Sequence, residues 1–367
     1  MVDVPSFTDQ TFNDSGLMKD FLNQTNQPFV GIFKIIAMTH QNQAISSGPR
    51  FALHETVLLF KGLMITRVMP SFYIFVILLS LPLNGLAVVT FTCKLREKNP
   101  AVIYMSHLAC VDLLFTLLLP LKIHYQMNGS DWVFGEATCR VLSAAYYCNM
   151  YCSILLMMCM SVDRLLAVVF PVASLTWRST RKATCICTLV WLLALAGIVP
   201  FLTLRQTISF QNLGVTCFDV LDGESFEMFY LCVFLILPFI YFFLPLVIIL
   251  VSYSTIIYVL CTKLDHSVTS SSSSDNRRKA AIMATAVLTE FVVCFVPSNA
   301  ILLYHLVTCL VTGSCRTDTY SAYMLAVCLG SSSVFLDPLL YYYSSSQYRE
   351  QIHSVFWVCK AKRANIP

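Results

Sequence analysis

The sequence predicts an all-α membrane protein, a bundle of seven spanning helices followed by a short amphipathic eighth. Three observations predict it. Hydrophobic residues make up 57% of the 367 residues and charged residues only 12%, too apolar a balance for an ordinary soluble domain. Apolar runs long enough to cross about 30 Å of hydrocarbon as helix recur between short polar breaks. Those breaks alternate between basic and acidic along the chain.

In order, the runs have cores at Val68–Cys93, Ala101–Tyr125, Thr138–Phe170, Ala183–Leu204, Phe226–Cys261, Ala280–Thr308 and Thr319–Tyr343; they are called spans one to seven below. A membrane barrel is excluded, because its strands alternate in polarity over about ten residues instead of staying apolar throughout. Residues 1–66 then form an outer segment, mostly disordered, residues 67–345 the bundle, and residues 346–367 a cytoplasmic amphipathic helix and tail. In that tail Tyr348, Ile352, Val355 and Phe356 recur at spacings of three and four, which suits a helix lying along the inner leaflet. Cys359 beside Lys360, Lys362 and Arg363 is a candidate acylation site. The run Ser270–Ser274 reads as a flexible third inner loop. Most of the 16 cysteines lie inside apolar runs, where a thiol behaves as a small hydrophobe. Cys139, Cys217, Cys309 and Cys315 lie at run ends or between runs, and whether Cys309 and Cys315 pair is left open.

Positive charge orients the bundle. Lys94, Arg96 and Lys98 follow span one, Arg178, Arg181 and Lys182 span three, and Lys263, Arg277, Arg278 and Lys279 span five. Arg349, Lys360, Lys362 and Arg363 follow span seven. The opposite connections are mainly acidic, so the positive-inside rule puts the N-terminus outside. The sequons beginning at Asn13, Asn23 and Asn128 then share the glycosylated side. This asymmetry accounts for the net charge of +4, and no separate basic patch points to nucleic acid. Met1–Asn26 lacks the apolar core of a cleavable signal. Either span one serves as the insertion signal, or the true beginning of the gene product is missing here.

Charges inside a bilayer cost about 2.5 kcal/mol or more on insertion scales, so each needs a reason. Span two carries Asp112, span three ends on Asp163 and Arg164, span six carries Glu290 and span seven Asp337, while Asn84 adds an amide in span one. Asn84, Asp112, Ser153 and Asp337 supply the carboxylate and hydroxyl oxygens that suit a hard cation if they converge; a water-filled network without an ion is the alternative. Glu290 is either a protonated passenger bonded to a neighbour or a bias on the position of span six. Pro297 removes a backbone donor and is expected to kink span six.

These residues, taken in order, carry a resemblance. Asn84, Leu108-Ala109-Cys110-Val111-Asp112, Asp163-Arg164, Trp191, Pro245, Tyr253, Cys294-Phe295-Val296-Pro297 and Asp337-Pro338-Leu339-Leu340-Tyr341 resemble the signature set of rhodopsin-like G-protein-coupled receptors. Lys98–Met105, Gly129–Gly135, Tyr147–Leu155 and Asp337–Tyr343 are similar to the protease-activated (thrombin) receptors, as is Thr216–Leu221 apart from Phe218, where that family usually has histidine. Phe295, in place of the more general tryptophan, is shared with them. The resemblance covers roughly Pro70 to Cys359.

It implies a plasma-membrane receptor, not an enzyme, with heterotrimeric G proteins, arrestin and membrane lipids as partners. A Cys139–Cys217 disulfide is implied, pinning the acidic loop residues Asp219, Asp222, Glu224 and Glu227 over a pocket reached by His305, Tyr320 and Tyr323. The central cluster holds sodium in related receptors. Asp163 is expected to hold Arg164 at rest, and Tyr253 and Tyr341 to regroup around Arg164 on activation; Leu165 replaces the usual third aromatic of that motif. The family is switched on when a protease, thrombin-like or trypsin-like, frees a tethered N-terminal ligand. Here Arg50 after Pro49 offers a cut exposing Phe51-Ala52-Leu53-His54-Glu55, about 17 residues before span one and so within ~55 Å if extended. A soluble lipid, nucleotide or peptide ligand on the same fold is the alternative. A transporter is disfavoured by the absence of visible repeats and Gly-rich broken helix pairs, and an intramembrane enzyme by the lack of a recognisable arrangement among His107, Asp112 and Glu290.

Overall fold

The computed structural model describes residues 62–94, 99–203, 206–210, 214–217, 236–265, 271–312, 320–344, 348–350 and 352. Seven of its helices are long and apolar enough to cross a membrane: Met64–Cys93, Pro100–Met127, Gly135–Val169, Thr180–Thr203, Ile236–Thr262, Arg277–Tyr304 and Ala322–Tyr343. They match the seven predicted runs in order. Leu78, Leu117 and Val251 stand exposed on the outside of the bundle, where an apolar side chain meets lipid at no cost.

Local chemistry sets several boundaries. Asn99 caps span two, its Oδ1 accepting from Val102 N at 2.9 Å, and Pro100 takes the first helical position, where its missing N–H is no loss. Gly129, Ser130 and Gly135 adopt φ of 65°, 63° and 79° and turn the chain from span two into span three. A short helix, Pro171–Trp177, follows span three on the inner side.

Three features depart from the sequence reading. The helix of span six begins at Ser271 and runs to Thr312, so the serine run expected as a flexible loop is helical from Ser271 onward; extending a formed helix adds a bond per residue without a new nucleus. Span seven is two helices, Tyr320–Gly330 and Ser333–Ser344. At the break Ser331 Oγ donates to Val327 O at 2.9 Å and Ser332 Oγ to Leu329 O, beside the backbone N–H bonds that the same two serines make to those carbonyls, so the hydroxyls compete with the ladder there. The third is a pair of strands in the second outer loop, β1 (Thr207–Phe210) and β2 (Gly214–Cys217), antiparallel with Thr207 opposite Cys217.

The largest core cluster draws on all seven spans around Leu108, Ile154, Leu156 and Phe291, with Ala87 and Phe91 from span one. A second joins spans one, two and seven through Tyr73, Val76, Phe115 and Val334. In the tail Tyr348 and Ile352 pack against the main core, Tyr348 with its ring 5.1 Å from Phe91. Burial pushes the Tyr348 phenol up to about 12. Val355, Phe356 and Cys359 lie outside the described residues.

Candidate functional site

At the outer end Cys139 and Cys217 form a disulfide between span three and β2. It sits in a small core with Tyr125, Trp132 and Leu142. Two outer carboxylates also hold the hairpin. Glu136 accepts from Gln206 N at 3.0 Å, Thr207 N at 2.8 Å, Thr207 Oγ1 and Arg140 Nε at 2.7 Å. Asp131 Oδ1 accepts from Val215 N at 2.7 Å, and Trp132 N donates to Val215 O at 2.7 Å. Gly214, at φ 87°, lies so close to Asp131 that a Cβ would collide with its carboxylate. Each strand is thus tied separately to the bundle.

Beneath the hairpin lies an aromatic floor. Tyr147 stacks on Phe201 at 4.0 Å and Tyr151 on Tyr241 at 4.5 Å, while Tyr241 Oη donates to Leu193 O at 2.8 Å. Tyr323 is hydrogen-bonded to Tyr147, which brings one predicted pocket residue onto this floor. His305 and Tyr320 lie on helical backbone at the outer ends of spans six and seven, their side chains not among those described. Asp219, Asp222, Glu224, Glu227, Cys315, Arg50, Phe51, Asn13 and Asn23 fall outside the described residues. Asn128 is exposed at the outer end of span two, its Nδ2 donating to Asp131 O at 3.3 Å.

The middle of the bundle is polar. Pro338 has no N–H to offer Val334 O, four residues before it. Asn84 Nδ2 takes that carbonyl at 2.6 Å and Ser80 Oγ at 3.2 Å, and Ser80 bonds Thr116 Oγ1 at 2.8 Å. Asp112 Oδ1 accepts from Asn149 Nδ2 at 3.0 Å, and Asp112 and Asp337 lie within electrostatic range of each other. Asn84 Oδ1, Asp112 Oδ2, Ser153 Oγ and Asp337 Oδ2 are buried with no hydrogen-bond partner among the described residues. One such oxygen on each of the four predicted residues fits the donor chemistry of a hard monovalent cation. Among the described residues no group of three His, Cys, Asp or Glu side chains is placed to hold a metal, so any ion there would rely on amide and hydroxyl oxygens as well. Ser80, Thr116 and Asn149 were not singled out from sequence. Ser80 stands four residues from Asn84, Thr116 four from Asp112 and Asn149 four from Ser153, and that helical spacing was the available signal.

At the inner end one expectation is corrected. Asp163 does not hold Arg164; its two oxygens accept from Arg178 Nε at 2.8 Å and Nη2 at 2.6 Å. Adjacent helical residues diverge by about 100°, so Asp163 turns toward the loop that carries Arg178. The hydrogen-bonded carboxylate in turn raises the Arg178 guanidinium above its usual range. Arg164 lies within electrostatic range of buried Tyr253. Tyr341 is buried with its ring 5.8 Å from Phe91 and its hydroxyl unpartnered among the described residues. In span six Phe295 is buried against Phe291 at 5.5 Å, and beyond Pro297 Asn299 Nδ2 donates to Phe295 O at 2.9 Å.

Seven spans, a bridged and clasped outer loop, a polar centre and a basic inner face define a multi-pass plasma-membrane receptor, and the family model described as 7 transmembrane receptor (rhodopsin family) matches residues 83–341. Proteinase-activated receptor 1 of Homo sapiens is 39% identical over 360 residues, 97% of this chain and 79% of that protein. The receptor of the same name from Cricetulus longicaudatus is 44% identical over 296 residues, 79% of this chain and 66% of that protein. Proteinase-activated receptor 2 of Rattus norvegicus is 35% identical over 318 residues, 86% and 78% of the two chains. The chain therefore belongs to the rhodopsin family of seven-transmembrane receptors, in its proteinase-activated branch, and is not an enzyme.

Proposed function

We propose that a thrombin-like or trypsin-like serine protease switches this receptor on by cutting after Arg50, and that the new N-terminus at Phe51 then binds the outer pocket as a tethered ligand. The observation that carries the reading is likeness to proteinase-activated receptors over nearly the whole chain, 97% of it for one relative. In this reading residues 1–66 carry the tether. The ammonium of Phe51 meets Asp219, Asp222, Glu224 and Glu227, and its ring and Leu53 bury apolar surface near His305, Tyr320 and Tyr323. Tethering raises local ligand concentration to the millimolar range, so modest intrinsic affinity suffices. Span six then swings outward, Arg164 regroups with Tyr253 and Tyr341, and heterotrimeric G proteins relay the signal to calcium.

Arrestin and inner-leaflet lipids are further partners in this reading, with Cys359 acylated. Sodium in the polar centre belongs to it too: Asn84, Asp112, Ser153 and Asp337 would hold the ion, whose charge would tie spans one, two, three and seven together at rest. In cells expressing the chain, thrombin or trypsin is expected to raise calcium. Arg50→Ala is expected to block that response, and a peptide beginning Phe-Ala-Leu-His to restore it. A protease response that survives Arg50→Ala places the cut elsewhere; no response to any protease favours a soluble ligand.

A further inference from the structure

Lys122 stands within the membrane-crossing segment Pro100–Met127, six residues before Asn128 and so about 9 Å below the outer end of span two. It is half-buried, with Nζ 5.2 Å from the centroid of the Tyr125 ring. Tyr125 is buried beneath the hairpin, its Oη accepting from Cys217 N at 3.4 Å. On the other side Lys122 lies within electrostatic range of Cys328 in span seven, which is buried and hydrogen-bonded to Tyr73. Tyr146 lies within range of both Cys328 and Tyr323, the latter on the aromatic floor. Neighbours on spans two and seven that are themselves buried turn the ammonium inward, between hairpin and floor, and not toward lipid. Among the described residues no carboxylate pairs with it; Asp131 and Glu136 at the same end are bonded to the hairpin.

A lysine inside a span is costly unless an opposite charge meets it, and a ring face offsets only part of that cost. The five residues at the head of the chain freed by a cut after Arg50, Phe51-Ala52-Leu53-His54-Glu55, hold a single carboxylate side chain, that of Glu55. We infer that Lys122 is a specificity-determining residue of the outer pocket and takes the carboxylate of Glu55, the fifth residue of the ligand. This rests on the reading that the chain freed at Phe51 is that ligand. From Phe51 to Glu55 an extended chain reaches up to ~14 Å, so the ammonium at one end and the carboxylate at the other engage separate partners, the acidic loop and Lys122. The pair is a charge-assisted hydrogen bond, stronger than one between neutral groups. A basic fifth residue meets like charge there and is rejected.

Calcium flux in cells expressing the full chain, normalised to surface level, tests this with the amidated peptides Phe-Ala-Leu-His-Glu, Phe-Ala-Leu-His-Gln and Phe-Ala-Leu-His-Lys. The parent is expected to answer the Glu peptide at roughly tenfold lower concentration than the Gln peptide, and the Lys peptide least. Lys122→Gln is expected to answer the Glu and Gln peptides alike. Lys122→Met, of similar length and uncharged, is expected to do the same and decides the matter if Lys122→Gln fails to reach the surface. Lys122→Glu is expected to reverse the order and prefer the Lys peptide to the Glu peptide, which loss of a merely structural lysine does not produce. A preference for Glu that survives both neutral variants, or equal potency of the Glu and Gln peptides in the parent, overturns the inference and leaves the tether reading standing. A parent silent to all three peptides overturns both.

Discussion

Arg178, beyond the end of span three, grips both carboxylate oxygens of Asp163 through Nε and Nη2 at 2.8 and 2.6 Å. Loop and span are joined by this fork, and Arg164, not held by Asp163, lies within electrostatic range of Tyr253. The side chains are 27% and 8% exposed, so breaking the pair lies between an exposed bridge, about 0–1 kcal/mol, and a buried one, about 3–5 kcal/mol. Arg178→Ala frees Asp163 to capture Arg164. Agonist-evoked calcium, normalised to surface level, is expected to fall about tenfold in potency. Adding Asp163→Asn, which removes the captor, is expected to restore it; a double mutant no better than the single one refutes the exchange.

Asn84 and Pro338 form a second test. Asn84→Ala strips the carbonyl of Val334 of its shorter side-chain donor where Pro338 supplies no backbone one and leaves it the longer bond from Ser80 Oγ at 3.2 Å, so the cost belongs near the lower end of about 1–3 kcal/mol for an unsatisfied buried group. Thermal unfolding in detergent is expected several degrees lower. Pro338→Ala in the same background returns a backbone N–H to Val334 O and is expected to recover part of the loss. Equal Tm in the two backgrounds contradicts the account.

Much of this was legible in the sequence, and the rest has physical reasons for being hidden. Hydrophobic run length and the flanking basic residues placed all seven spans, because a bilayer imposes both. Asn84, Asp112 and Asp337 were legible as intramembrane polar groups, and their bonded neighbours Ser80, Thr116 and Asn149 were not, since a small polar side chain inside an apolar run has many harmless readings. The break at Ser331–Ser332 leaves hydropathy almost untouched, because two small serines change the polarity of an apolar run little, and their hydroxyls bond carbonyls of the same run. Arg178 was visible only as inner charge. Its pairing with Asp163 depends on where the loop helix Pro171–Trp177 lies, and no periodicity encodes that.

The outer hairpin separates two kinds of anchor. Cys139→Ser or Cys217→Ser removes the covalent tie, worth about 2–4 kcal/mol, and is expected to abolish surface expression or ligand response. Gly214→Ala keeps the disulfide but drives a methyl into Asp131 at φ 87°. It is expected to retain measurable surface receptor with agonist potency reduced, by flow cytometry and calcium flux. Wild-type potency in Gly214→Ala refutes the role given to the Asp131 clasp.

Arg164→Ala separates signalling from folding. Surface level is expected near normal and G-protein activation strongly reduced, measured as nucleotide exchange on membranes. A variant that couples as well as the parent removes Arg164 from the switch.

The broken span seven has a mechanical consequence. Its inner half, Ser333–Ser344, is stitched to span one at Val334 by Asn84 and Ser80. Its outer half ends at Gly330, where a Cβ would stand 3.1 Å from the backbone oxygen of Cys294 in span six. The two halves of the span therefore answer to different neighbours: the outer one abuts span six at Cys294, one residue before Phe295, and the inner one is bonded to span one, with the serine break between them.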